Sequence, residues 1–145
     1  MGVTTAMCTS FKSELLGGTH DLDSDTIKLA LIKSGESGTY GAATTNYSDV
    51  TGNSDEASGT NYSTTGNTLG SAAITTSGTT AIVDFADTTF SNATVSASGA
   101  IIYNADQGNK AIAIISFGGT VASTAGDFTV SFPAADASNA IIRIA

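Results

Sequence analysis

The sequence predicts an all-β fold, an antiparallel β-sandwich or jelly-roll-like barrel with a short N-terminal helix. Three observations predict it. Short segments, above all in the second half, alternate in polarity with the two-residue period of a strand. Turn residues separate them at roughly ten to fifteen residue intervals, as in sandwiches and barrels. No helical pattern alternates with the strands, which argues against a parallel α/β sheet.

The helix is expected over residues 5–16. Met7, Phe11 and Leu15 recur every four residues on one face, Cys8 adjoins them, and Gly17-Gly18 supplies the stop. A helix this short is marginal alone, so its stripe must dock on its own domain or on a neighbouring subunit. An acidic turn, Asp21–Asp25, leads into a strand over Thr26–Lys33 whose Ile27, Leu29 and Leu31 form one apolar face. Residues 34–68 read as a variable surface loop with one helical turn near Ala42–Val50. Tyr40, Tyr47 and Tyr62 are its large contact residues. Further strands are expected over 69–76, 79–86, 88–97, 98–104, 110–117, 128–132 and 140–145. The turns fall at Asp106–Asn109, Gly118-Gly119 and Ala125–Asp127, and Pro133 ends a strand. The length suits one domain, 1–145, with an N-terminal docking helix in 1–18. The last strand is apolar to its final residue, so it is expected to be central or paired with another chain.

Composition narrows the partners. Five Lys+Arg against 13 Asp+Glu give a net charge of −8, which argues against direct contact with nucleic acid or an anionic membrane. No apolar run is long enough to span a bilayer, and no leader pattern opens the chain. Charged residues make up only 12%, and a surface poor in long charged side chains loses little entropy in an interface. The single cysteine, Cys8, excludes an intramolecular disulfide and reads as an apolar filler.

Motifs for chemistry are not evident. His20 reads as a turn residue, and no nucleophile elbow is present. Asp21, Asp23 and Asp25 have the opening spacing of a calcium loop, but Thr26 stands where glycine is needed and Ile32 where the bidentate glutamate belongs. Asp84 with Asp87, and Asp55 with Glu56, read as solvated turn charges. A glycan-cleaving module would need paired carboxylates or an aromatic platform, and the chain has no Trp. The expectation is a non-enzymatic protein with no metal and no cofactor.

Two regions then acquire meaning together. One is Met7-Cys-Thr-Ser-Phe-Lys-Ser-Glu-Leu-Leu-Gly-Gly-Thr-His20 running into Asp25-Thr-Ile-Lys-Leu-Ala-Leu31. The other joins Thr79–Asp87, Phe90–Val95, Gly99–Asn104 and Phe128–Ala145. These segments resemble small structural proteins of tailed-phage virions. The likeness is weak over 34–70. It implies a virion component, on the capsid surface rather than the tail: a decoration (cement) protein bound between major capsid protein subunits. It also implies a homo-oligomer, with a trimer preferred. No catalytic residue comes with it. The alternative is a tail, neck or fibre component contacting a host receptor. The expected interface residues are Met7, Phe11 and Leu15 at one chain end, Ile142 and Ile144 at the other, and the three loop tyrosines. Removing residues 1–16 is expected to abolish docking.

Overall fold

The computed structural model describes residues 2–70 and 72–145. As the alternation predicts, the chain is mostly strands in antiparallel sheets, with a short N-terminal helix. It opens with two short strands, β1 (Gly2–Val3) and β2 (Ala6–Met7), followed by α1 (Thr9–Leu16). The helix therefore starts later than residue 5. Ala6 and Met7 pair with Ile114 and Ala113, and the Cys8 N–H donates to the Ile112 carbonyl. A sheet edge satisfies these backbone groups, whereas the first turn of a helix leaves its N–H groups without partners. Phe11 anchors α1. It is fully buried and packs against the His20 ring at 5.0 Å between centroids. The helix stops as expected, with Gly18 in the left-handed region at φ +80°.

Next comes β3 (Ile27–Lys33). The one-faced expectation is corrected here, because Ala30 and Ile32 are as deeply buried as Leu29 and Leu31. The intervening positions are themselves apolar, so a second layer can cover them. Lys28 and Lys33 direct their ammonium groups sideways, to Thr65 Oγ1 at 2.7 Å and the Ser54 carbonyl at 2.8 Å.

Residues 34–68 contain β4 (Thr39–Tyr40), α2 (Ser48–Gly52) and β5 (Asn67–Thr68). This stretch is a wrap rather than a surface excursion. β4 pairs in parallel with β1, and β5 pairs antiparallel with the start of β3. Between them, Asp55–Ala57 runs beside the end of β3. Lys33 N–H donates to the Asp55 carbonyl (2.8 Å) and Ala57 N–H to the Leu31 carbonyl (2.9 Å).

The remaining strands are β6 (Ala73–Ser77), β7 (Thr80–Asp84), β8 (Thr88–Asn104), β9 (Lys110–Val130) and β10 (Ile142–Ile144). The predicted strands 88–97 and 98–104 are one strand. So are 110–117 and 128–132, joined through both of their predicted turns. The Asp106–Asn109 turn stands, closing a long β8–β9 hairpin. At Gly118-Gly119 the chain bulges and does not reverse. The register passes from Gly99↔Ser116 to Ala97↔Val121, after which the ladder resumes because β8 continues alongside.

The main sheet has the order β2-β9-β8-β3-β5, and a second sheet has the order β10-β7-β6. One face of the main sheet carries Asn104, which meets His20 beneath α1. The other face carries Tyr103, on which Tyr47 of the wrap stacks at 4.5 Å. The strands in the middle are thus covered on both sides, and one connected apolar core joins Phe11, Leu29, Ile102, Phe85 and Ile142. β10 is not central, and the strand it pairs with belongs to its own chain. It is an edge strand on β7, with Ile142 buried and Ile144 half exposed.

Candidate functional site

The three loop tyrosines point inward. Tyr40, Tyr47 and Tyr62 are all buried, and they converge on the adjacent carboxylates Asp55 and Glu56. Tyr40 Oη donates to Asp55 Oδ2 at 2.6 Å, Tyr47 Oη donates to Glu56, and Tyr62 Oη donates to Glu56 Oε1 at 2.8 Å. Tyr62 Oη also accepts the Leu31 N–H at 2.9 Å, satisfying a β3 donor where no strand lies alongside. In this fold the tyrosines offer no surface to a partner. Asp55 and Glu56 are likewise not solvated turn charges. Asp55 is fully buried, and Glu56 also accepts the Thr65 N–H at 2.8 Å.

Burial would raise the Asp55 carboxyl, but hydrogen bonds from Tyr40, Ser37, Gly38 and Lys33 outweigh it and hold the group well below the usual carboxylate range. The tyrosines shift the other way. Burial, reinforced by the neighbouring carboxylates, pushes Tyr40 and Tyr103 up to about 12, and Tyr47 and Tyr62 also upward. A phenol whose folded pKa is raised contributes stability that is full below its unfolded value of about 10 and is lost as pH climbs through the folded value. Tyrosinate absorbance is therefore expected to appear together with loss of the β circular dichroism signal, above about pH 10. Ionisation near pH 10 with the dichroism intact would refute this placement.

His20 is a buried connector rather than a turn residue. The Asn104 amide is oriented by the Asp106 N–H on its oxygen, and its nitrogen donates to His20 Nδ1 (3.0 Å) and Asp25 Oδ2 (2.8 Å). Nδ1 is thereby the acceptor, and Nε2 carries the proton donated to Glu14 Oε1 at 3.1 Å. The ring joins α1, the acidic turn and the end of β8, and both its nitrogens are engaged. Asp25 caps that turn by accepting the Asp21 N–H. The hydrogen bond from Asn104, with the one from Asp21, draws its carboxyl below the ordinary range. Among the described residues, no group of three or more His, Cys, Asp or Glu is arranged to hold a metal ion. Cys8 is buried, and burial first, then Asp49 and Glu14, push its thiol up to about 12.

An exposed apolar surface lies where α1 meets β10. Leu15 and Ile144 stand between two adjoining clefts. One, about 330 Å³, is lined by Met7, Lys12, Leu15, Leu16, Arg143 and Ile144. The other, about 380 Å³, continues past Leu15 to Ile74 and Asp21. Leu16 is 89% exposed, Ile74 52% and Ile144 49%. Of the described residues, only Val121 joins them as a large apolar side chain so far out of the core. Of the expected interface residues, the fold brings Met7, Leu15 and Ile144 together here and places Phe11 and Ile142 beneath them in the core. Removing residues 1–16 would therefore take Cys8 and Phe11 out of the core and not merely undock a helix. Lys12, Leu16, Ile74 and Arg143 were not singled out by sequence. Leu16 adjoins the apolar stripe just before the Gly17-Gly18 stop, and that was its one local signal.

Compared with family models, with curated proteins and with solved structures, the chain matches none.

Proposed function

We propose that this chain is a non-enzymatic structural protein of a virion, a capsid decoration (cement) protein that stabilises the head shell by binding between major capsid subunits. The observation that carries the reading is the β8–β9 ribbon. Beyond Ile114, no strand of the described residues pairs with the outer edge of β9. From Phe117 to Val130 that edge carries one charge, Asp127, and its Val121 is 44% exposed. An open edge with few charges is a template for pairing with another chain, and the usual protections of lysine or proline are missing. A shell lattice supplies fixed neighbours to occupy such an edge. The resemblance to tailed-phage virion proteins supplies the setting. The tail or fibre alternative drew on an outward tyrosine surface, and the inward tyrosines remove that support.

The test is to add the purified protein to capsids that lack it and image them. Regular density on the head shell, with a higher temperature of shell disruption, is the expected result. Density confined to the tail, or no binding at all, would overturn the reading. Val121→Lys on the open edge is expected to weaken shell binding at least tenfold with the dichroism spectrum unchanged, equivalent to about 1.4 kcal/mol.

A further inference from the structure

We propose that the chain-end surface is the contact between two copies of this chain, related by a two-fold axis. The pairing rests on the assembly reading above but uses a different surface from the ribbon. Its centre is apolar and exposed, consisting of Leu16, Ile74 and Ile144 around the half-buried Leu15. Its two sides carry opposite charge. Lys12 and Arg143 flank the cleft on one side of Leu15 and Ile144, and Asp21 lines the cleft on the other.

A two-fold contact requires that whatever residue i meets on the partner, the partner's copy of that residue meets i in return. A patch with an apolar middle, a basic side and an acidic side meets that requirement. Lys12 and Arg143 of each copy face Asp21 of the other, while the apolar centres cover each other. Elsewhere two chains of net charge −8 repel, so the patch that carries two of the five cations is the place for them to meet.

The local chemistry supports the same pairing. Lys12 and Arg143 form no close ion pair among the described residues. Arg143 donates to the Ala137 carbonyl; the carboxyl of nearby Asp136, lowered first by a hydrogen bond from Asn139, is drawn down further by the Arg143 charge. On the acidic side, the Asp21 carboxyl lies above its ordinary range, raised by its hydrogen bond with Asp23, by desolvation and by like-charge repulsion. A cation from the partner would relieve that crowding. From Ala57 to Val83 the chain has no charged residue, so β6, which brings Ile74 to the patch, adds no charge to the contact.

Sedimentation of the intact protein over a range of concentrations tests the pairing. The expected species is a reversible dimer, twice the 14.4 kDa chain. Leu16→Asp is expected to weaken self-association about 30-fold or more, with folding verified by circular dichroism. Lys12→Glu and Asp21→Lys are each expected to weaken it, and the double variant to restore it, because the two charges exchange sides. A wild-type chain that stays monomeric, a trimer, or a double variant no better than either single one would overturn the pairing. A dimer that fails to bind shells would sink the decoration reading and leave this interface standing; a monomer that decorates shells would do the reverse.

Discussion

Replacing Asp55 by alanine is expected to destabilise the fold by about 3–5 kcal/mol, among the largest single-site losses available to this chain. The ion pair with Lys33, at 3.2 Å, is not the main reason. The lysine side chain is 37% exposed, and an ion pair so open to water contributes little. The loss comes from the donors left behind. Ser37 N–H, Gly38 N–H and Tyr40 O–H all aim at one fully buried carboxylate. A donor buried without an acceptor costs about 1–3 kcal/mol, a loss that falls in full on the buried Tyr40 hydroxyl and in part on the N–H groups of the exposed Ser37 and half-buried Gly38. Asp55→Asn keeps the shape but turns an NH₂ toward donors, so it too should destabilise.

The pH dependence follows from the lowered carboxyl. Its folded value lies below the unfolded value of about 4, so its stabilisation is full above that value and is lost as pH falls below it. Urea denaturation of the parent and the Asn variant at neutral and acidic pH checks both points. The variant should show a smaller loss of stability on acidification. A neutral-pH difference under about 1 kcal/mol would show that the Asp55 carboxylate does not hold the wrap.

Gly66→Ala is expected to cost about 3 kcal/mol or more, although it removes no contact. Gly66 lies at φ +77°, where an L-residue pays about 1–2 kcal/mol. A Cβ there would sit 1.8 Å from the Leu29 carbonyl oxygen and 2.7 Å from Ala30 Cα. Those are backbone atoms of β3, which has neighbours on both edges and cannot shift cheaply. Overpacking adds about 1–3 kcal/mol. Gly18→Ala is the control. It has a similar φ of +80° with nothing within 4 Å, so it should show the conformational cost alone. Equal melting-temperature losses for the two variants would refute the close approach of the wrap to β3.

Much of the fold was legible because strands and helix ends write themselves locally. The alternation in Ile112–Phe117 and Phe128–Phe132, and the glycine pair after Leu16, depend on near neighbours in the chain. What failed was whatever depended on a distant partner. Gly118-Gly119 has the composition of a reversal and forms a bulge, because β8 continues beside it. Met7 fits a helical stripe and instead joins β2, because β9 offers an edge. Ser, Thr, Asn and Gly fill 34–68 as they would fill a mobile loop. Asp55 and Glu56 turn that stretch into a wrap by gathering hydroxyls and N–H groups that are distant in sequence.

By itself, the sequence determined the all-β class, the short helix and its stop, the apolar β3 and the acidic balance of the chain. All of these follow from residue type and short-range period. Only the tertiary structure decided that the tyrosines face inward and that β8 and β9 form one long ribbon with an open edge. It also decided that Leu16, Ile74 and Ile144 share one surface between opposite charges. Burial and adjacency are set by which strands pair across tens of residues, and side-chain period within a segment carries no record of that pairing.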